Sequence, residues 1–340
     1  MIRYPLLKEG DTIGVTAPSS GVDSNLHDLM KQAINRMEQS GFNVVCGETV
    51  WTQHKSKSAP ALIRAAELNN MIADDNINLI FPPWGGEFLI EVLEHIDFDA
   101  IKEKWILGYS DLSTLLLAVT LKTGVATAHG TNLFDLRGEY SDETTAMWKP
   151  VLSTGSGQSI VQHSSQNYQK EWNFESVSPY VFHFNEPTSW KIFSDSDKKV
   201  TVSGRLLGGC IDTIGHLIGT PYGDVRTFQK HTIQNEPILW YLENSDAKTT
   251  DLRRFLVQMK LAGWFDNCSG LLFARTSANY PVDGYTIDDV YQELAEELKV
   301  PIVFDIDCGH LPPQMTFING AYAEVEAQDG KGTVTQYFRP

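Results

Sequence analysis

The sequence predicts an α/β protein of two domains, and three observations carry that expectation. Apolar strands alternate with helical stretches through residues 1–148, a polar and aperiodic segment interrupts them at 149–199, and alternation resumes over 200–340. The 340 residues suit about two domains of ~150 each. In the first domain, Thr12-Ile13-Gly14-Val15 reads as a strand running into the small-residue loop Ala17-Pro18-Ser19-Ser20-Gly21. Leu26, Leu29, Met30, Ile34 and Met37 then recur at helical spacing until Gly41, and 42–46 is the next strand. The rhythm repeats as helix 60–73, strand 77–81, helix 88–95, strand 105–108 and helix 112–122. Strand–helix–strand units of this kind imply a mainly parallel sheet.

Residues 149–199 are rich in Ser, Gln, Asn and Asp, with aromatics that include Trp172, Phe174, Tyr180, Phe182, Phe184 and Trp190. A connection this long with so many aromatics reads as an ordered loop beside a site. The second domain begins near Val200, with Gly208-Gly209 leading into a helix through Ile218. Strands follow at 238–242, 270–274 and 301–306, helices at 250–262 and 287–298, and a terminal hairpin at 322–338.

Composition narrows the function. With 43 acidic against 27 basic residues, the net charge of −16 argues against a nucleic-acid or anionic-membrane partner. The N-terminus lacks the apolar stretch of a signal peptide and no run of about 20 apolar residues appears, so a cytoplasmic protein is expected. Cys46, Cys210, Cys268 and Cys308 form no C-x-x-C pair and read as reduced thiols. Neither G-x-G-x-x-G nor a Walker A sequence occurs, so no nucleotide cofactor is expected. Asp307, Cys308 and His310 lack partner ligands at metal-site spacing, so no metal is expected either.

Three polar residues each follow an apolar strand. Ser110, in Gly108-Tyr109-Ser110-Asp111, stands at a strand-to-helix turn, where a hydroxyl projects from the sheet edge and helix amides supply positive potential. Ser110 or Asp111 can equally be a helix cap, since the second glycine of a full nucleophile elbow is replaced by Leu112. Glu243 closes strand 238–242 and is either a site carboxylate or an exposed turn acid. His310, in Asp307-Cys308-Gly309-His310-Leu311-Pro312-Pro313, is a base, a ligand or a loop residue. Together they make a hydroxyl, an imidazole to take its proton, and a carboxylate to orient the imidazole. In Pro82-Pro83-Trp84-Gly85-Gly86-Glu87 the paired glycines let a backbone approach a ligand, and with the Asp111 amide they make a candidate oxyanion hole. His129 reads as structural.

Taken in order, these motifs resemble the serine peptidases that comprise LD-carboxypeptidases and microcin C self-immunity proteins. The likeness runs through 15–20, Gly85-Gly86, 108–113, Gly204-Arg205-Leu206-Leu207-Gly208-Gly209, Leu242-Glu243-Asn244, 261–266 and 307–310. It implies a flavodoxin-like N-terminal domain, a smaller mixed C-terminal domain, a site between them and a homodimer. It also implies a Ser110–Glu243–His310 triad with Gly86 and Asp111 at the oxyanion hole. The aromatic stretch from Trp172 to Trp190 resembles the immunity-type loop in which tryptophans stack on adenine, which implies cleavage between a C-terminal aspartyl residue and a nucleotide-like group. The alternatives are removal of the terminal D-amino acid from a murein tetrapeptide, and a non-catalytic binder of peptidyl nucleotides. Gly85 and Lys248 are further substrate contacts on this reading, Lys248 toward a phosphate or carboxylate. Cys210 is a further candidate substrate contact and stands where relatives commonly carry Asn, a change that removes the amide's polar contacts.

Overall fold

The computed structural model describes residues 1–171, 178–193 and 199–340. Its first sheet is built from β1 (Thr12–Val15), β2 (Asn43–Cys46), β3 (Ile77–Ile80), β4 (Trp105–Gly108) and β5 (Thr127–His129), all parallel and ordered β2-β1-β3-β4-β5. That is the doubly wound order in which ligands lie beyond the carboxyl ends of the strands, near the β1/β3 switch point. The helices α1 (His27–Gln39), α2 (Ala61–Ala73) and α3 (Leu112–Thr123) cover it. The predicted helix at 88–95 is a 3-10 stretch, Leu89–His95, and the Leu89 amide donates to the Asp111 carboxylate.

After α4 (Trp148–Leu152), the connecting segment supplies β6 (Ser159–His163), β7 (Asn167–Tyr168), β8 (Glu186–Pro187) and β9 (Lys191–Ile192). Strands β7 and β8 pair with each other, while β6 and β9 form the two edges of a second, eight-stranded sheet. Its parallel centre is β10 (Lys199–Cys210), β11 (Ile238–Glu243), β12 (Cys268–Ala274) and β13 (Ile302–Ile306). The terminal hairpin, β15 (Tyr322–Gln328) and β16 (Lys331–Tyr337), adds antiparallel strands, and β14 (Phe317–Asn319) crosses to pair antiparallel with β5. The protein is thus α/β, with a mostly parallel N-terminal sheet and a mixed C-terminal one.

The remaining helices are α5 (Ile211–Ile214), α6 (Val225–His231), α7 (Thr249–Leu261) and α8 (Ile287–Leu298). Helix α3 explains how the halves meet. Ten of its twelve residues are buried, and it touches β4 and β5 of one sheet and β10 of the other. A helix apolar all round belongs inside a core rather than on its surface. The carboxyl ends of β4, β11 and β13 are consequently brought to one seam. No helix of the described residues is long and apolar enough to cross a membrane.

Candidate active site

Strand β4 ends at Gly108 and α3 begins at Leu112, so three residues must reverse the chain. Ser110 takes the left-handed conformation, φ 65°, that a residue with a Cβ adopts only when its surroundings impose it. Its carbonyl accepts from the Ser113 amide at 2.9 Å, locking the first turn of α3. The Asp111 side chain makes no capping hydrogen bond to its own helix, so capping does not account for the motif. Gly85 is required opposite: a Cβ there would stand 2.8 Å from both the Ser110 Cβ and the Asp111 amide nitrogen. Gly86 lies at φ 145°, in the region that favours glycine, with the Ser19 and Ser20 hydroxyls filling the space its Cβ would take. Among the described residues, neither the Gly86 nor the Asp111 amide donates a hydrogen bond.

The other half of the site comes from β11 and β13. Glu243, the last residue of β11, is 1% exposed. The loop after β13 turns at Gly309, φ 81°, where a side chain would collide with the Glu243 carboxylate. The Gln314 side chain holds that loop by accepting from the Gly309 amide at 2.9 Å and donating to the Gly309 carbonyl. His310 is thereby delivered to Ser110. The Ser110 hydroxyl donates to His310 Nε2 at 3.1 Å, and His310 Nδ1 stands 3.3 Å from Glu243 Oε1. This second contact has ion-pair separation without hydrogen-bond alignment, and among the described residues neither Glu243 oxygen nor His310 Nδ1 has a hydrogen-bond partner. Three buried polar atoms therefore have one another to satisfy, which assigns the Nδ1–H tautomer and leaves Nε2 as the acceptor.

Burial alone would raise the Glu243 pKa, but the facing imidazole outweighs it and holds the carboxyl below its usual range. For His310 burial works downward, and the Glu243 charge, with Asp212 and Asp135 farther off, lifts it above an ordinary imidazole. His129 lies behind the row between the Tyr109 and Tyr241 rings, and burial lowers its pKa to about 4, which keeps it neutral. A cavity of about 320 Å³ opens on the row, lined among others by Ser20, Trp84, Gly85, Gly86, Ser110 and His310.

Two family models match the chain: the LD-carboxypeptidase N-terminal domain over residues 13–130 and the LD-carboxypeptidase C-terminal domain over 203–325. The chain belongs to the LD-carboxypeptidase family. The microcin C7 self-immunity protein MccF of Escherichia coli is 24% identical, covering 98% of this chain and 97% of its own. A Bacillus subtilis protein named as a probable murein peptide carboxypeptidase is 25% identical, covering 95% of this chain and 91% of its own. The solved structure of MccF with aspartyl sulfamoyl adenosine has a TM-score of 0.78 at 20% identity and covers 100% of both chains, a likeness of fold.

Within this member of the LD-carboxypeptidase family, the remaining candidates fare unequally. Gly85 lines the cavity. Cys210 is buried beside Glu243 in the β10–β11 register, and its amide donates to Ser113 Oγ at 2.9 Å, so it joins the two halves rather than facing substrate. Lys248 is exposed at the start of α7 and is absent from the cavity lining. Trp190 requires a correction. It is 3% exposed, packs in the core of the second sheet, and donates from Nε1 to Asp307 Oδ2 at 2.8 Å, so its ring has no free face for a ligand. Trp172 lies outside the described residues.

The structure also adds residues that sequence reasoning passed over. Trp84 lines the cavity half-buried, its Nε1 donating to the Gly21 carbonyl at 3.1 Å and its ring 4.8 Å from that of Phe134. Asp212 accepts from the amides of Ser245, Asp246 and Ala247 at 2.8, 3.3 and 3.0 Å, fixing the turn after Glu243. The usable signal was position, because Trp84 sits beyond the carboxyl end of β3, as Ser110 does beyond β4. Among the described residues, no group of three or more His, Cys, Asp or Glu side chains is arranged to hold a metal ion.

Proposed function

We propose that Ser110 is the nucleophile of a serine peptidase or amidase acting through an acyl-enzyme, with His310 as base and Glu243 as its orienting carboxylate. The Ser110–His310–Glu243 row carries this reading. Ser110 Oγ attacks the scissile carbonyl carbon as His310 Nε2 takes its proton, and the imidazolium that forms faces the buried Glu243 charge. The oxyanion develops opposite the Gly86 and Asp111 amides. When the intermediate collapses, the leaving nitrogen takes the proton from His310. Water, deprotonated by the same imidazole, then attacks the ester and releases Ser110.

For the substrate we take the bond between a C-terminal aspartyl residue and a nucleotide-like group. The MccF relative, solved with aspartyl sulfamoyl adenosine and with glutamyl sulfamoyl guanosine, supports it. So does Trp84, a tethered indole in the cavity wall that suits a flat ring, such contacts being worth roughly 1–3 kcal/mol per base. With Trp190 buried, Trp84 takes over the role assigned to the connecting aromatics. The second reading, release of a terminal D-amino acid from a murein tetrapeptide, is favoured by the Bacillus subtilis relative at 25% identity. The family likeness makes a cytoplasmic homodimer the working assembly. Incubation with aspartyl sulfamoyl adenosine and separately with murein tetrapeptide, followed by mass spectrometry of the products, decides the matter. Release of aspartate from the nucleoside supports the first reading, and turnover of the tetrapeptide alone replaces it with the second.

A further inference from the structure

We infer that the Asp111 carboxylate is a positioning residue of the oxyanion hole: the residue that offers one amide to the hole braces, through its side chain, the loop that offers the other. The inference rests on the catalytic reading above. Asp111 Oδ2 accepts from Ser19 Oγ at 2.5 Å and from the Leu89 amide at 2.9 Å, so one oxygen ties the loop after β1 to the turn after β3. Ser19 and Ser20 occupy the space beside Gly86, and the Ser20 amide donates to the Gly85 carbonyl at 3.2 Å. Ser19 Oγ also accepts from the Phe88 amide at 3.3 Å. The same two loops are gripped from behind by Arg64, 0% exposed, whose Nη1 donates to the Pro18 carbonyl at 2.8 Å and the Phe88 carbonyl at 2.9 Å.

A carboxylate one residue from the nucleophile is electrostatically adverse to a developing oxyanion, so its presence calls for a compensating role. Its acceptor geometry supplies one. Oxyanion donors act only when held within about 0.5 Å of the productive position, and Asp111 joins the two segments that carry them. What matters on this account is the oxygen acceptor, not the charge.

The test compares Asp111→Ala, Ser19→Ala and Asp111→Asn in the full chain. Asp111→Ala should lower kcat about 100-fold with KM within threefold of wild type, and Ser19→Ala about tenfold. Asp111→Asn keeps an oxygen acceptor and should recover most of the loss. Labelling of Ser110 by a fluorophosphonate, which uses the same hole, should slow in step with kcat. Should Asp111→Ala fail to fold, Ser19→Ala and Asp111→Asn carry the test through the labelling rate. Unchanged kcat and labelling in Ser19→Ala and Asp111→Ala, or an Asn variant as slow as the Ala variant, overturns the inference. A wild-type protein that turns over neither substrate and takes no label instead overturns the catalytic reading.

Discussion

The two sides of the site are held by different physics. On the nucleophile side, position is written into backbone: Ser110 at φ 65°, Gly86 at φ 145°, and a web of short hydrogen bonds through Asp111, Ser19 and Arg64. On the acid–base side, Glu243 is buried without an aligned donor, and His310 reaches out on a glycine-turned loop with 35% of its side chain exposed. Strain and hydrogen bonds fix the first, whereas charge and packing fix the second. The first should therefore tolerate changes of charge and fail on changes of shape. The second should fail first on changes of charge, and on changes of shape where the Gly309 turn meets the Glu243 carboxylate.

The largest expected effect is on the charge-held side. Glu243→Gln keeps the shape but removes the buried charge that faces Nδ1–H and lets an amide nitrogen turn toward the ring, so kcat should fall roughly 10³–10⁴-fold with the fold intact by circular dichroism. A loss below tenfold would mean that packing alone orients His310. Gly309→Ala comes next, because its Cβ enters the space of the Glu243 carboxylate at φ 81°. We expect roughly 2–4 kcal/mol of lost stability by denaturant titration, with kcat falling at least tenfold. A variant as stable as wild type would show that the loop can move freely away from Glu243.

A pH profile sharpens the same contrast. His310 must be neutral to accept the Ser110 proton, and its pKa is raised above the ordinary imidazole value of 6.5. The acid limb of kcat/KM should therefore lie above pH 6.5, activity being lost as pH falls through it. In Glu243→Gln the largest influence holding the imidazole pKa up is gone and the more distant Asp212 and Asp135 remain against burial, so the residual limb should move to lower pH. The smallest effect is expected far from the seam. Trp190→Phe loses a hydrogen bond to Asp307 and should cost about 1 kcal/mol of stability, with KM for aspartyl sulfamoyl adenosine unchanged. A raised KM would return Trp190 to the substrate.

The sequence displayed one of these two physical regimes more openly than the other. The strand–helix alternation of the first domain and the turn at Ser110 follow from local patterns, because apolar strands, helix periods and paired glycines act over a few residues, whereas the order β2-β1-β3-β4-β5 is implied only by the family resemblance. Glu243 and His310 were legible as polar residues at or just beyond apolar strands, but their meeting with Ser110 depends on α3 serving both sheets, which no local pattern encodes. Trp190 misled for the same reason. An aromatic in a polar segment looks available, and only the long-range pairing of β9 with β13 and the Asp307 acceptor put it in the core. Trp84 escaped notice because its glycine neighbours carried the stronger signal, while its wall position depends on Gly21 and Phe134 across the cavity.

The central claim is that Ser110 and His310 act as one unit across the seam, and a double-mutant cycle tests it most directly. We expect Ser110→Ala, His310→Ala and the combined variant to share nearly the same residual kcat/KM, because either change alone abolishes the shared step. If the double variant instead lost the product of the two single effects, the side chains would be working independently and the account would be wrong.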